Sequence, residues 1–468
     1  MLKRIVISVL ILVVGGLLGY YLLRSTRTAA REFRKVTPIR SFEPDDLYPL
    51  TLHQARDEST LQERILDDRV IQSRTHPSRK VRIVRARYYS HEWKDGPWYG
   101  TVSLVIPQDL PPDHRGLVVF TPGGSINVAD DLDFKKEFWE RTAMDAGVVV
   151  ASIPNMGKHF GLTEIHQLSD YMAEQALRSG DLSWAPNYPF VAGRARAVTL
   201  IGKLTGHPVR SVVHMGSSIT ASHAWIWPLF DERVKGLVAT GDVGFVRDWF
   251  PLDGSLRSKR TALVELSRAT PELQNAAIRL ADPYDFGDRI RIPVLQIVGT
   301  NDFASPLSTV PKFLAALAGP THLVNVPNYP HGTGSWRHVR SLRMFIEHIF
   351  FERPLTRIER VEFQQDGGQL VVKAKVTGTP TVSEVRFFYT TYSEPNFLKS
   401  SFPNTSANNY TKAKWTSAPM NRAADRWVGT VAIPSTRPSF LAGFVDLRDE
   451  YADQPGYASS PVQQIRLD

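Results

Sequence analysis

The chain has no cysteine among its 468 residues, which excludes disulfides, thiolate metal sites and a cysteine nucleophile together. The compartment stays open, because envelope and cytosolic proteins alike do without disulfides. No G-x-x-x-x-G-K-S/T loop occurs, and no His-Glu-x-x-His spacing stands out among the 13 histidines. No nucleotide loop, metal site or cofactor is therefore expected. Lysine and arginine form no dense block outside the N-terminal region, and the formal charge of +9 is spread along the chain. Nucleic-acid binding is not expected, although such a surface suits anionic lipids or wall polymers. Internal repeats and low-complexity tracts are absent as well.

What is present is an ordinary globular composition, with 42% hydrophobic and 22% charged residues, which rules out wholesale disorder. The length exceeds what one core usually holds, so two domains are expected. At the N-terminus, Lys3 and Arg4 precede an uncharged stretch from Ile5 to Leu23 that ends at Arg24, close to the ~20 residues that span a bilayer as a helix. A cleaved signal would show a shorter apolar core and a clear cleavage site, whereas only Thr28-Ala29-Ala30 is on offer, so residues 1–35 read as an uncleaved single-pass anchor with a basic flank. Arg24, Arg27, Arg31, Arg34 and Lys35 follow the span and argue for a cytoplasmic domain. The short basic tail resists translocation and argues for the extracytoplasmic side, which is the orientation preferred here.

Residues 36–353 alternate apolar runs with helical stretches. A helix is expected over 61–71, followed by antiparallel strands at 81–89 and 98–107. Buried strands are expected at 117–120, 146–153, 212–216, 234–240, 294–299 and 323–326, with helices at 164–179 and 191–205. Repeated βα units imply a mostly parallel doubly wound sheet, hence an α/β fold. Residues 354–468 carry alternating β patterns punctuated by Gly, Pro, Asn and Ser, as in Gln369 to Val376, which suggests an all-β sandwich of immunoglobulin type.

Ser218 carries the chemical signal. It follows the apolar run Val212-Val213-His214-Met215 in the turn Gly216-Ser217-Ser218-Ile219-Thr220, with small residues two before and two after it. That is how an α/β-hydrolase presents a nucleophile at a strand-to-helix turn. Asp302 follows the expected strand 294–299, and His331 follows 323–326, so the chain order Ser, Asp, His is that of this fold. A serine hydroxyl is a poor nucleophile until a neutral imidazole takes its proton and a carboxylate holds the imidazole in one tautomer. Asp242, after the strand ending at Thr240, is the fallback acid. The loop Thr121-Pro122-Gly123-Gly124-Ser125 follows a strand where an oxyanion loop is required, so Gly124 and Ile219 are the expected oxyanion donors. Each residue alone has a blander reading as a turn or cap residue; their joint placement favours the site. Trp225, Trp227 and Trp249 follow the elbow and are candidate walls of an apolar cleft, although aromatic residues are more often core than pocket.

From about Tyr48 onward the chain resembles the PhoPQ-activated pathogenicity-related protein family, which includes the autocrine proliferation repressor A-like proteins. The resemblance is carried by Thr121-Pro122-Gly123-Gly124-Ser125-Ile126-Asn127, Ile153-Pro154-Asn155, Ser183-Trp184-Ala185-Pro186, Asp231 to Gly236, Asp282 to Arg289, and Pro327-Asn328-Tyr329-Pro330-His331-Gly332. It implies an α/β-hydrolase with a C-terminal β domain, a serine nucleophile at Ser218 and a histidine at His331. Two positions depart from it. The elbow serine is followed by Ile219-Thr220-Ala221 instead of Lys-Arg-Gly, and an adjacent acidic pair is replaced by Asn301-Asp302. The expectation is a membrane-anchored serine hydrolase acting on an unknown ester or amide. The alternative is a catalytically degenerate binding or signalling platform, with the β domain meeting a protein or polymer partner.

Overall fold

The computed structural model describes residues 43–467 apart from 95, 111–115, 122–131, 154–159, 163–164, 255, 257–259, 379–380, 400–409, 435–437 and 451–454. The expected anchor, Ile5 to Leu23, and the expected donor Gly124 lie outside the described residues. Among the described residues no helix is long and apolar enough to cross a membrane.

A nine-stranded sheet organises the first part of the chain. Its strands are β1 (Arg64–Gln72), β2 (Lys80–Trp93), β3 (Gly96–Pro107), β4 (Leu117–Thr121), β5 (Val149–Ser152), β6 (Val212–Ser217), β7 (Val234–Thr240), β8 (Val294–Gly299) and β9 (Thr321–Val326). Their spatial order is β1-β2-β3-β5-β4-β6-β7-β8-β9. The first three strands and the β3–β5 pair are antiparallel, and every pair from β5 to β9 is parallel. Chain direction reverses about β4: one crossover leads outward to β5 and the next returns to β6 on the other side. Ligands of open α/β sheets bind at the carboxyl ends of strands flanking such a switch point.

The parallel strands are buried on both faces, as their near-continuous apolar runs require. Leu117, Val149, Leu237 and Val294 face one core, shared with α2 (Ile165–Ser179), α3 (Asn187–Thr205) and α4 (Ile219–Ile226). Their neighbours Val118, Val150, Val238 and Leu295 face the other, shared with α1 (Leu132–Ala146) and α8 (Trp336–Phe351). Between α4 and α8 lie α5 (Thr261–Arg268), α6 (Pro271–Ala281) and α7 (Val310–Ala316).

The helix expected over 61–71 is instead the edge strand β1, paired antiparallel with β2 from Arg64↔Arg87 to Gln72↔Lys80. Ile65, Val70 and Ile71 are β-branched, and the ladder with β2 supplies the backbone hydrogen bonds that a mostly exposed helix would have to supply alone.

Beyond α8 the described chain is all β apart from one short helical turn at Tyr410–Lys412. The strands are β10 (Arg357–Asp366), β11 (Gln369–Thr377), β12 (Val382–Tyr392), β13 (Thr416–Pro419), β14 (Asn421–Ala423), β15 (Arg426–Ala432), β16 (Phe440–Asp449), β17 (Gly456–Ser459) and β18 (Gln463–Arg466). They form two antiparallel sheets, ordered β10-β11-β15-β14 and β13-β12-β16-β17 with β18 beside β16. Leu370, Val372, Phe387, Leu441 and Val445 fill the space between them. The opposite face of the second sheet is continuous with the α/β core: Tyr392, Phe397, Tyr410, Trp415 and Phe444 belong to the same buried cluster as the helices packed on the large sheet.

Candidate active site

Ser218 occupies a sharp turn between β6 and α4, with φ 55° and ψ −132°, a conformation that costs a non-glycine residue of order 1–3 kcal/mol. The surroundings enforce it. A Cβ on Gly216 would stand 2.6 Å from the Thr220 carbonyl oxygen and from the Ala221 Cα, so only glycine fits there. Thr220 stitches the turn: its hydroxyl accepts the Ser217 N–H at 2.9 Å and donates to the Ser217 carbonyl at 2.8 Å. The Ser218 N–H donates to the Thr240 carbonyl at 2.8 Å, which fixes the elbow to the end of β7.

The acid and histidine come from the loops after β8 and β9, which approach each other closely. At Gly299 a Cβ would meet the Tyr329 carbonyl oxygen at 2.4 Å, so the missing side chain lets the two loops touch. The Asn301 N–H then donates to Tyr329 O at 3.0 Å, and the Asn328 N–H to the Thr300 hydroxyl at 2.8 Å. The result is a continuous chain of three side chains. His331 Nε2 lies 2.9 Å from Ser218 Oγ, and Nδ1 lies 2.8 Å from Asp302 Oδ1. Asp302 is 1% exposed and also accepts the Ala304 N–H at 2.8 Å. Phe303 covers the imidazole with its ring centroid 5.0 Å away.

The electrostatics follow from this geometry. Burial disfavours a charged His331, but the hydrogen bond and charge of Asp302, reinforced by the charge of Asp242, outweigh it and raise its pKa above the ordinary histidine value. Burial, with the charge of Asp282 nearby, pushes the Asp242 carboxyl up to about 7. Asp242 lines the cavity, while the bond to Nδ1 is made by Asp302.

Beside Ser218 and His331 opens a cavity of about 580 Å³ with a mainly apolar wall. Leu177, Trp249, Phe250, Leu263, Leu266 and Ile278 contribute to it, and an ion pair between Asp170 and Arg260 closes one side. Of the three candidate tryptophans, Trp249 lines the cavity. Trp225 and Trp227 have no exposed area, and pack against Phe313 and His214 in the core. They lie on the inward face of the elbow helix and the turn after it, so their bulk supports the elbow from behind. Ile219 also borders the cavity. As the first residue of α4 its N–H has no partner within the helix.

Sequence reasoning missed the contacts that hold the two loops from the C-terminal side, made by Tyr410 and Trp415. No local pattern marks either residue, because Tyr410 reaches the Asp302 carbonyl and Trp415 meets the Asn328 side chain with its own backbone, each more than eighty positions away.

The sheet order, the elbow and the hydrogen-bonded serine, histidine and aspartate at the carboxyl ends of β6, β8 and β9 define an α/β-hydrolase fold. Residues 259–397 match the sequence model of the PhoPQ-activated pathogenicity-related protein family, so the resemblance read from the sequence holds over a segment that includes Asp302 and His331. Solved structures give weaker likenesses. Acetyl xylan esterase 1 from Thermoanaerobacterium sp. JW/SL YS485 is 14% identical with a TM-score of 0.47, covering 67% of this chain and 95% of that one. An acetyl xylan esterase from Paenibacillus sp. R4 is 16% identical with a TM-score of 0.46, covering 68% and 96%. An acylaminoacyl peptidase from Pyrococcus horikoshii is 12% identical with a TM-score of 0.40, covering 61% and 57%. At these scores the likenesses decide neither reaction nor substrate. A search of curated proteins found no sequence match.

Proposed function

We propose that the protein is a serine hydrolase that cleaves an ester or amide through an acyl-enzyme. Ser218 attacks the carbonyl carbon, His331 takes the hydroxyl proton and returns it to the leaving group, and Asp302 keeps the imidazole in the tautomer that accepts at Nε2. The Ile219 N–H, with Gly124, is assigned to the developing oxyanion. The observation that carries this reading is the unbroken hydrogen-bonded chain from Ser218 to Asp302 beside an apolar cavity. A strained elbow maintained with nothing to do would be an unrewarded cost. The test is a fluorophosphonate probe on the purified protein, with labelling expected for the native chain and absent in Ser218→Ala. Folded native protein that stays unlabelled favours the binding-platform reading instead.

The general base must be neutral, so kcat/KM for a p-nitrophenyl ester is expected to rise with pH through a pKa above the ordinary histidine value. Asp242→Asn removes a negative charge that favours the imidazolium, which moves that limb toward lower pH. A limb that stays in place in Asp242→Asn rules out this coupling.

The same reading assigns residues 1–35 to a membrane anchor through Ile5 to Leu23, residues 36–353 to the hydrolase domain and residues 354–468 to the β domain, facing the extracytoplasmic side. A reporter fused after Asp468 that is active only in the cytoplasm would overturn that orientation. The strand orders β10-β11-β15-β14 and β13-β12-β16-β17 follow the A-B-E-D and C′-C-F-G orders of immunoglobulin sheets, which supports that type for the β domain.

A further inference from the structure

Among the described residues, six hydrogen-bond contacts run between the loops bearing Asp302 and His331 and one short segment, 410–415, of the C-terminal β region. Tyr410, which has no exposed area, donates its hydroxyl to the main-chain carbonyl of Asp302 at 2.7 Å. Asn301 Nδ2 lies 3.1, 3.2 and 2.8 Å from the carbonyl oxygens of Tyr410, Thr411 and Ala413, enough acceptors for both its protons. Asn328, three positions before His331, is bound twice to Trp415: its Nδ2 donates to the Trp415 carbonyl and its Oδ1 accepts the Trp415 N–H, both at 2.8 Å. Tyr410 and Trp415 are themselves locked into the α/β core. On the far side of the histidine loop, Arg337 makes a two-pronged pair with Asp446 of β16, with both contacts at 2.9 Å.

We infer that segment 410–415 is a positioning element for the reaction centre: it holds the backbone at Asp302 and ahead of His331, and thereby keeps the Ser218–His331–Asp302 chain in hydrogen-bonded register. What that chain does rests on the hydrolase reading above; how it is held does not. The bonds between the two loops fix them to each other, and segment 410–415 fixes the pair to the rest of the fold; a displacement of about 1 Å in a reacting group costs on the order of 100-fold in rate. The partners of Asn301 Nδ2 are carbonyl oxygens, to which an amide donates whereas a carboxylate only accepts, while its Oδ1 accepts the Thr300 hydroxyl at 3.0 Å.

Tyr410→Phe in the full chain removes one hydroxyl and keeps the ring. It is expected to lower kcat for a p-nitrophenyl ester about tenfold or more while KM stays within about twofold. Asn301→Asp sets a carboxylate against three carbonyls and is expected to cost more. The readout that separates positioning from mere stability is the NMR titration of the His331 imidazole, which is faced by Asp302 and Asp242. Once the Asp302 loop loosens, that titration is expected to move toward the ordinary histidine value in Tyr410→Phe. An unchanged titration in that variant overturns the proposal, even if the melting temperature falls. Because the titration needs no turnover, it decides the matter also if the native protein hydrolyses nothing, an outcome that would defeat only the hydrolase reading. If Asn301→Asp does not fold, Tyr410→Phe still decides.

Discussion

Asp302→Asn is expected to lower kcat by about four orders of magnitude with little change in KM, the size of effect seen when a triad acid becomes an amide. The physical reason lies at Nδ1. The Asp302 carboxylate is buried and accepts the Nδ1 proton of His331 at 2.8 Å. An asparagine in the same place can turn its NH2 toward Nδ1, which moves the ring proton to Nε2. That nitrogen faces Ser218 Oγ at 2.9 Å and would then donate where it has to accept. The cavity is untouched, so substrate binding survives. Asp242 is the rival acid: it lines the cavity, while the bond to Nδ1 is made by Asp302. Steady-state kinetics on both variants separate the two carboxylates: if Asp302→Asn stays within tenfold of the native rate and Asp242→Asn does not, the acid has been assigned to the wrong strand end.

The strand pattern and the three site positions were readable because their signals are local. A buried parallel strand is a short apolar run, and each of Ser218, Asp302 and His331 directly follows one, so chain order alone put them on one rim of the sheet. Gly216 was readable for the same reason, since only a small residue fits two positions before the elbow serine. Other features escaped the sequence because the deciding partner is remote. β1 is polar enough to pass for an exposed helix, and only the ladder with β2 makes it a strand. Trp225 and Trp227 follow the elbow in sequence, yet their direction depends on which face of α4 meets the core, and that face is inward. Asn301 stood out only as a departure from the resembled family. Its use became visible only with three carbonyls of residues more than a hundred positions downstream beside it. Backbone acceptors have no sequence signature, so no reading of the chain could have paired them.

The largest expected loss of stability lies at the opposite end of β7 from the Ser218 elbow. Asp231 is 2% exposed and Arg233 8% exposed, and the pair is joined by Nε to Oδ1 at 2.9 Å and by an Nη2 contact to Oδ2 at 2.7 Å. The guanidinium also donates to the Thr199 hydroxyl at 3.0 Å and the Ala195 carbonyl at 2.9 Å, while Trp227 Nε1 donates to Asp231 Oδ2 at 3.2 Å. The network thus ties α3 and the end of the elbow helix to the entry of β7, whose first neighbour Val212 donates its N–H to the Arg233 carbonyl at 2.7 Å. Removing the carboxylate leaves a buried guanidinium without its counter-charge, so Asp231→Ala is expected to cost about 3–5 kcal/mol, read as a lower urea midpoint at unchanged slope. Replacing both partners by apolar residues of similar volume removes the stranded charge along with its partner. The double variant is therefore expected to recover most of the loss. If Asp231→Ala costs less than about 1 kcal/mol, or the double variant is no better than the single one, water reaches the guanidinium and the pair is not buried in the sense argued here. Activity measured well below the unfolding transition should be close to native in both variants, because the strand end that carries Thr240 and anchors the elbow is held by β6 and β8.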